Sequence, residues 1–282
     1  MSILDFSNPL IMGILNLTPD SFSDGGLYMT ESAVARGLEM VEEGADIIDI
    51  GGESTRPKAS RIDADEQKRR VLETIKMLRY QLPEGFPISI DTTLSTVAQS
   101  AIEQGATMIN DVSAGRDDPE ILGLAASLGV PLVLMHMRGS PETMQQSPVY
   151  SDVVSNVKLF LQQRIEAALK AGMKQEQLVL DPGIGFGKGK RHNLQLLAGL
   201  REIRDLGFPL LLGVSRKRFM GSLCKQQQPE QLLPATCAST ALGVMAGVKI
   251  FRVHDVWQNR QAADVAWAIQ EQRKKMPSVT RG

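Results

Sequence analysis

Two sets of polar residues in this chain have the chemistry of binding groups. Asp91, Asn110, Asp181 and Lys217 offer two carboxylates, an amide and an ammonium. A carboxylate accepts two parallel N–H bonds from a guanidine-like edge, while an amide and an ammonium serve carbonyl and ring-nitrogen acceptors. This set therefore suits a flat heterocycle rich in N–H and C=O groups. The second set is Asn16, Thr55, Arg56, Arg252 and His254. Arginine forks match phosphate oxygens, and a hydroxyl and an imidazole add further donors. Asn16 contributes a neutral oxygen, of the kind that helps hold a Mg²⁺ ion still largely hydrated.

Each of these residues has a plainer reading. Asp91 before Thr92, and Asp111 after Asn110, are both placed to cap a following helix. His136 could be a satisfied interior histidine. Lys217 could be the Schiff-base lysine of an aldolase, although that leaves the arginines unexplained. The run D-P-G-I-G-F-G-K at 181–188 reads as a glycine-rich turn as readily as a phosphate loop, because such a loop alone is weak evidence. No Ser/His/Asp triad or pair of general-acid carboxylates is spelled out, which disfavours hydrolysis.

The elements that must position these groups alternate along the chain. Strand-length apolar runs are predicted at Leu10–Asn16, Ala45–Ile50, Pro87–Asp91, Thr107–Asp111, Pro131–His136, Gln177–Asp181, Pro209–Val214 and Lys249–His254. Amphipathic helical runs follow them, among them Ser32–Glu43, Ala64–Arg79, Ser95–Gln104, Pro119–Leu128, Val153–Ala171, Leu194–Leu206 and Ala262–Arg273. Eight βα units in 282 residues predict an α/β fold, a (β/α)8 TIM barrel, with an open doubly wound sheet as the alternative. On a barrel the active site gathers at the C-terminal ends of the strands. Here nearly every predicted strand runs into a polar residue, in the series Asn16, Glu53 with Thr55 and Arg56, Asp91, Asn110 with Asp111, His136, Asp181, Ser215 with Lys217, and Arg252 with His254. One such residue is ordinary turn chemistry; a whole series on one rim is a site. Without repeat, linker or low-complexity tract, residues 1–282 read as a single domain.

Composition narrows the partners. The 31 basic and 32 acidic residues nearly cancel, so no global field favours nucleic acid or a membrane surface, and neither is expected as a partner. Cys224 and Cys237 stand in no C-x-x-C or Cys/His cluster, which argues against zinc and for a reducing compartment. No basic region precedes the first apolar run, so no signal peptide is read. The expectation is a soluble, cytoplasmic protein. The segment Gln231–Val248 carries no charge at all, yet it is short and polar for a membrane span. An outer barrel helix normally keeps one face for water. This segment is therefore predicted to be covered on both sides, by strands on one and by a second copy of the chain on the other, in a homodimer. Its small residues Ala238, Ala241 and Gly243 would permit close approach.

The ordered motifs resemble those of one family. M-G-I-L-N-L-T-P-D-S-F-S-D-G-G at 12–26 and G-G-E-S-T-R-P at 51–57 are similar to the two signatures of the dihydropteroate synthases. I-D-T at 90–92, I-N-D at 109–111, L-M-H-M at 134–137, D-P-G-I-G-F-G-K at 181–188, S-R-K at 215–217 and R-V-H-D-V at 252–256 complete the set across the whole chain. The resemblance implies a transferase of folate biosynthesis that joins 6-hydroxymethyl-7,8-dihydropterin pyrophosphate to 4-aminobenzoate, with Mg²⁺ as cofactor and a homodimeric state. It implies that Asp91, Asn110, Asp181 and Lys217 bind the pterin, with Met135, Phe186 and Gly213 at its pocket. Asn16, Thr55, Arg56, Arg252 and His254 would hold pyrophosphate, with Mg²⁺ at Asn16. Phe22, Pro57, Ser215 and Lys217 would frame 4-aminobenzoate, and sulfonamides would compete there. Asp181, Lys217 and Arg252 would carry the SN1-like displacement. The loops Thr18–Gly26 and Gly52–Ser60 would close over the site. Two positions depart from the family's habit: Leu94 where a basic residue is common, and Lys58 where glycine is common. A corrinoid-type pterin methyltransferase would share the barrel but have no use for the 18–26 loop. A non-catalytic pterin-binding module would need neither Asn16 nor the loops.

Overall fold

The computed structural model describes residues 4–18, 27–55, 59–139, 144, 148–226 and 228–276. In chain order its elements are β1 (Leu10–Asn16), α1 (Leu27–Glu42), β2 (Ile47–Gly51), α2 (Ala64–Gln81), β3 (Ile88–Asp91), α3 (Ser95–Glu103), β4 (Met108–Asp111) and α4 (Glu120–Leu128). They continue with β5 (Leu132–Met135), α5 (Val153–Lys170), β6 (Leu178–Asp181), α6 (Lys190–Ala198), α7 (Leu200–Arg204), β7 (Leu211–Leu212), α8 (Arg218–Cys224), α9 (Leu233–Ala246), β8 (Ile250–Val253) and α10 (Val256–Lys275). Every strand pairing is parallel, in the order β6-β5-β4-β3-β2-β1-β8-β7. The two ends of that sheet meet through a parallel bridge between Leu180 and Leu210, with Leu180 N donating to Pro209 O at 2.9 Å. The sheet is thus a barrel, as the alternation predicts, and the open sheet is excluded.

Strand parity divides the core in two. Side chains alternate faces along a strand. One parity, including Ile11, Leu15, Ile48, Ile50, Ile88, Ile90, Leu132, Leu134, Leu178, Leu180 and Phe251, packs outward beneath the helices. The other parity fills the barrel. Met12, Ile47, Met108, Val133, Val179, Leu211 and Ile250 form one interior cluster, sealed from below by Leu4, Phe6 and Leu10. The register aligns these inward positions: Met12 lies beside Ile47, and Val133 beside Val179. Gly13, on the outward parity of β1, is where a Cβ would stand 2.9 Å from Met40 Sδ and 3.3 Å from Val256 Cγ2, so its bareness lets α1 and α10 close on the strand. Asp63 and Asp152 cap α2 and α5, accepting from Glu66 N and Val154 N.

Four boundaries differ from the sequence expectation. The first helix starts at Leu27 rather than Ser32, since no Gly or Pro interrupts 27–32. The predicted Leu194–Leu206 helix is two pieces broken at Gly199, where a Cβ would meet Val154 Cγ2 at 2.8 Å. An additional short helix, α8, follows β7, and α10 begins at Val256 rather than Ala262. The interface prediction for 231–248 also needs correction in detail. Gly243 is buried with its Cβ position 2.7 Å from Phe251 Cε1, and Ala241 is half-buried against the core. Of the three small residues, only Ala238 is exposed, and beside it Leu242 is 70% exposed.

Candidate active site

Continuing the inward parity by one step toward the C-terminal ends turns the apolar filling into a polar layer. Two residues beyond Ile47, Ser89, Met108, Val133, Val179, Leu211 and Ile250 stand Asp49, Asp91, Asn110, Met135, Asp181, Gly213 and Arg252. Seven strands thus place their functional side chains on one floor because the pleat has period two. The sequence series included Asp91, Asn110, Asp181 and Arg252, and the resemblance added Met135 and Gly213; Asp49, which lies inside β2 rather than at its end, was in neither. Its signal was its spacing from the inward Ile47.

The floor is bound together by charge. Arg252 donates from Nε to Asp49 Oδ2 at 2.6 Å and from Nη2 to Asp91 Oδ2 at 2.8 Å. Asn110 Nδ2 donates to the same Asp49 oxygen at 3.1 Å. Asp49 and Asn110 are essentially inaccessible, and Asp91 is 6% exposed. Burial pushes the Asp91 carboxyl up, and the adjacent Arg252 guanidinium pulls it back toward the ionised form. Arg252, expected from sequence alongside Arg56, is therefore held by Asp49 and Asp91, beside the set that the sequence offers to a heterocycle, with Nη1 uncommitted among the described residues. Asp49 Oδ1 and Ser89 Oγ below it are buried without a partner there.

Asp181, at the end of β6, accepts from Gly183 N at 2.6 Å, and no ion pair reaches it among the described residues. Burial raises its carboxyl to about 6, against the pull of the Gly183 N–H and the Lys217 ammonium. Lys217 is lowered to about 8, by burial first and then by Arg252. Its Nζ lies 4.2 Å from the centre of the Phe186 ring. Phe186 and Met135 belong to an apolar cluster with Val112, Met137 and Met144. The three additions to the predicted wall come from loops, where neither parity nor helical period marks a residue. Gly213 is bare beside Arg252, whose Cβ is 4.0 Å from the position a Cβ would take. The pocket thus has an ionised floor, an apolar wall and an ammonium at its edge.

On the neighbouring arc of the rim, His254 and Ser215 are joined. Ser215 Oγ accepts from His254 N at 3.2 Å and lies 2.9 Å from His254 Nδ1. With the Ser215 hydroxyl donating to Nδ1, the neutral ring would present Nε2–H outward as a donor. Burial, then Arg216 and Arg252, lowers His254 to about 3, so the ring is neutral at working pH. Asn16 Oδ1 and Asp91 Oδ2 lie 3.5 Å and 3.7 Å from the position of a Cβ on Gly51. Thr55 lines a small cleft with Glu53, Arg61, Asp91, Thr93 and Val112. Phe22, Arg56, Pro57 and Lys58 lie outside the described residues, as does most of the 18–26 loop. His136 takes its structural reading, while Asp111 is structural in another way than predicted: it closes a turn and does not cap α4, which begins at Glu120 after Pro119. Asp111 accepts from the N–H groups of Ser113 and Gly115, and His136 is 5% exposed and bonded to Lys188.

A barrel with this floor is the architecture of the pterin binding enzymes, and the model of that family matches residues 12–254. The dihydropteroate synthase of Synechocystis sp. is 44% identical over 92% of this chain and 89% of its own length. Among solved structures, the dihydropteroate synthase of Xanthomonas albilineans with 4-aminobenzoic acid is 46% identical, with TM-score 0.88 and 95% of each chain covered. That of Yersinia pestis in a sulfonamide drug complex is 40% identical, with TM-score 0.89, covering 95% of this chain and 96% of its own. The chain belongs to the dihydropteroate synthase family, and its class is transferase.

Proposed function

We propose that the polar layer binds 6-hydroxymethyl-7,8-dihydropterin pyrophosphate and passes its methylene to 4-aminobenzoate, giving 7,8-dihydropteroate and pyrophosphate in folate biosynthesis. The observation that carries this reading is Asp181, a buried carboxylate without a salt bridge, set between an apolar wall and an ammonium. Such a group needs a ligand with N–H donors to satisfy it. The pterin's guanidine-like edge supplies two. Asn110 and Lys217 face its carbonyl and ring nitrogens, and Met135 and Phe186 its flat faces.

The difficult step is departure of pyrophosphate. The methylene C–O bond breaks with its electron pair going to the leaving oxygen. Ionised Asp181 stabilises the positive character spread from the methylene into the ring, in an SN1-like displacement. The aniline lone pair then forms the C–N bond, and its surplus proton leaves to water or pyrophosphate. No activating base is required, since an arylamine is already unprotonated near neutral pH. Arg252 Nη1 and His254 Nε2–H are donors for the pyrophosphate, with Thr55 and Arg56 as the loop contribution. Ser215 and Lys217, with Phe22 and Pro57, frame 4-aminobenzoate, and sulfonamides, being para-substituted anilines, compete for that place.

We also propose Mg²⁺ as cofactor. The donor set fits an ion that keeps most of its water. Among the described residues no three His, Cys, Asp or Glu groups cluster to hold a metal, and Asn16 offers a single neutral oxygen near Asp91. When bound, the ion would add positive charge at the leaving pyrophosphate. The state proposed is a homodimer whose partner covers the uncharged α9 at Ala238 and Leu242. The compartment proposed is the cytoplasm; no described helix is long and apolar enough to cross a membrane. Pyrophosphate release that depends on both substrates tests the reaction. Release with the pterin alone, at the full rate, would overturn it.

A further inference from the structure

Lys188 closes the D-P-G-I-G-F-G-K loop and is 2% exposed. Its Nζ lies 2.8 Å from His136 Nδ1, 2.8 Å from Gly183 O, 3.0 Å from Phe186 O and 3.2 Å from His136 O. Three of these four atoms are carbonyl oxygens, which can only accept. The loop around it is tightly set. Gly183 has φ +65°, and a Cβ there would stand 1.9 Å from His136 O. Gly185 N donates to Asn193 Oδ1 at 2.8 Å, and Asn193 Nδ2 returns to Lys188 O at 3.3 Å.

We infer that Lys188 is a positioning residue for the pterin: an ammonium clasp beneath the loop that faces the Gly183 and Phe186 carbonyls inward. This rests on the assignment of Asp181 and Phe186 to the pterin. By drawing both carbonyls under the loop, the clasp leaves the Gly183 N–H aimed at Asp181 Oδ1 and the Phe186 ring opposite Lys217. Burial lowers the Lys188 ammonium well below its ordinary value, and Asp181 raises it again; the three carbonyl oxygens against the nitrogen favour its donor form, whose charge behind the Asp181 carboxylate favours the ionised acid. An ammonium has three N–H bonds, which serve the three nearest atoms, His136 Nδ1, Gly183 O and Phe186 O, while His136 O at 3.2 Å shares one of them. His136 Nδ1 therefore carries no hydrogen, and the neutral ring holds its proton on Nε2. The interior position of His136, with its ring edge-on to Phe160 at 4.8 Å, keeps it out of the chemistry while making it the clasp's fourth acceptor.

The test begins with the wild-type protein. The chain has three histidines, so ¹⁵N spectra of histidine-labelled protein distinguish their ring nitrogens. The expected signature for His136 is a bare Nδ1 and a protonated Nε2, constant between about pH 6 and 8. A protonated Nδ1 overturns the clasp, because Lys188 would then be the acceptor. The second arm is Lys188→Gln, which keeps two N–H donors but no charge. Its pterin affinity, read by calorimetry, should fall about tenfold at pH 7.5. The acidic limb of binding should move up by about one pH unit, as expected for a carboxylate that loses a nearby cation. A merely structural loss would lower affinity without moving that limb. Unchanged affinity and an unmoved limb overturn the proposal, as does lowered affinity with the limb in place. If the variant does not fold, the wild-type His136 signature decides. Asp181→Asn with undiminished pterin affinity would instead sink the pterin assignment, leaving the His136 result independent of it.

Discussion

Asp181→Asn should make the protein more stable and nearly useless to its substrate. The ionised carboxyl is held against burial, which raises its pKa from 3.8 to about 6. The sign follows from linkage. A carboxyl with a raised folded-state pKa contributes its full relative stability below 3.8 and loses it as pH rises through about 6. At neutral pH the folded state therefore carries a penalty of about 3 kcal/mol, from about two units at 1.36 kcal/mol each. Asparagine is neutral, nearly isosteric, and can still accept from Gly183 N. Part of the gain is returned, because Asp181 also supports the Lys217 ammonium, which falls further when it is gone. A net gain of about 1–3 kcal/mol remains, or an upward shift of roughly 2–6 °C in melting temperature. Pterin binding moves the other way. The amide turns one acceptor into a donor facing ring N–H groups, and a mispaired buried charge-assisted contact costs about 2–5 kcal/mol, roughly 30- to 4,000-fold in affinity. Thermal denaturation and pterin titration of the same preparation read both effects. A variant less stable than wild type at pH 7.5, or one that binds pterin normally, would refute the reasoning that Asp181 is a strained group kept for its ligand.

The same carboxyl sets a pH limb. Pterin affinity should fall about tenfold per unit below pH 6, where Asp181 protonates, and fall again above about pH 8 as Lys217 loses its proton; calorimetry between pH 5 and 9 checks both limbs, and a flat profile contradicts the assignment. Turnover should need Mg²⁺, and Asn16→Ala should raise the Mg²⁺ concentration for half-maximal rate several-fold; full activity in excess chelator would exclude that role. Sulfonamides should raise the apparent KM for 4-aminobenzoate without changing kcat, and noncompetitive kinetics would argue for separate sites. Leu242→Glu, at the exposed centre of α9, should yield a folded monomer in light scattering; a wild-type protein that is already monomeric at micromolar concentration would end the dimer proposal.

How far the sequence reveals this site depends on the kind of signal each residue leaves. The eight strands were legible because β-branched and apolar runs alternate with amphipathic helices, and the rim was legible because the runs end in charge. Asp49 was not, although it is the hub where Arg252 and Asn110 meet. It sits mid-strand in I-I-D-I-G, where a charged residue looks like an interruption; its two-residue spacing gives it the parity of Ile47, but only the pairing of Ile47 with the interior Met12 shows that this parity faces inward. Lys188 hid for the opposite reason. A lysine at the end of a glycine-rich loop reads as a solvated or phosphate-facing charge, and nothing local says that its nitrogen turns back under three carbonyls.

The two hidden residues explain how so polar a floor is tolerated. A barrel interior built only of Ile, Val, Leu and Met would be more stable, and the lower layer is of that kind. The upper layer replaces it with Asp49, Asp91, Asn110, Asp181 and Arg252. Burying such charges is acceptable only where they compensate one another. Asp49 and Asp91 do so by sharing the Arg252 fork, and this pairing fixes the side of the floor nearest Asn16. Asp181 is left with one backbone N–H and the more distant ammonium groups of Lys217 and Lys188. The compensated side is a rigid frame, and the uncompensated carboxylate is the vacancy in the electrostatic arrangement that a ligand's N–H groups complete. Specificity on this view follows from the asymmetry: a ligand that lacked paired donors would meet an unsatisfied buried charge, while one that carried them would relieve it.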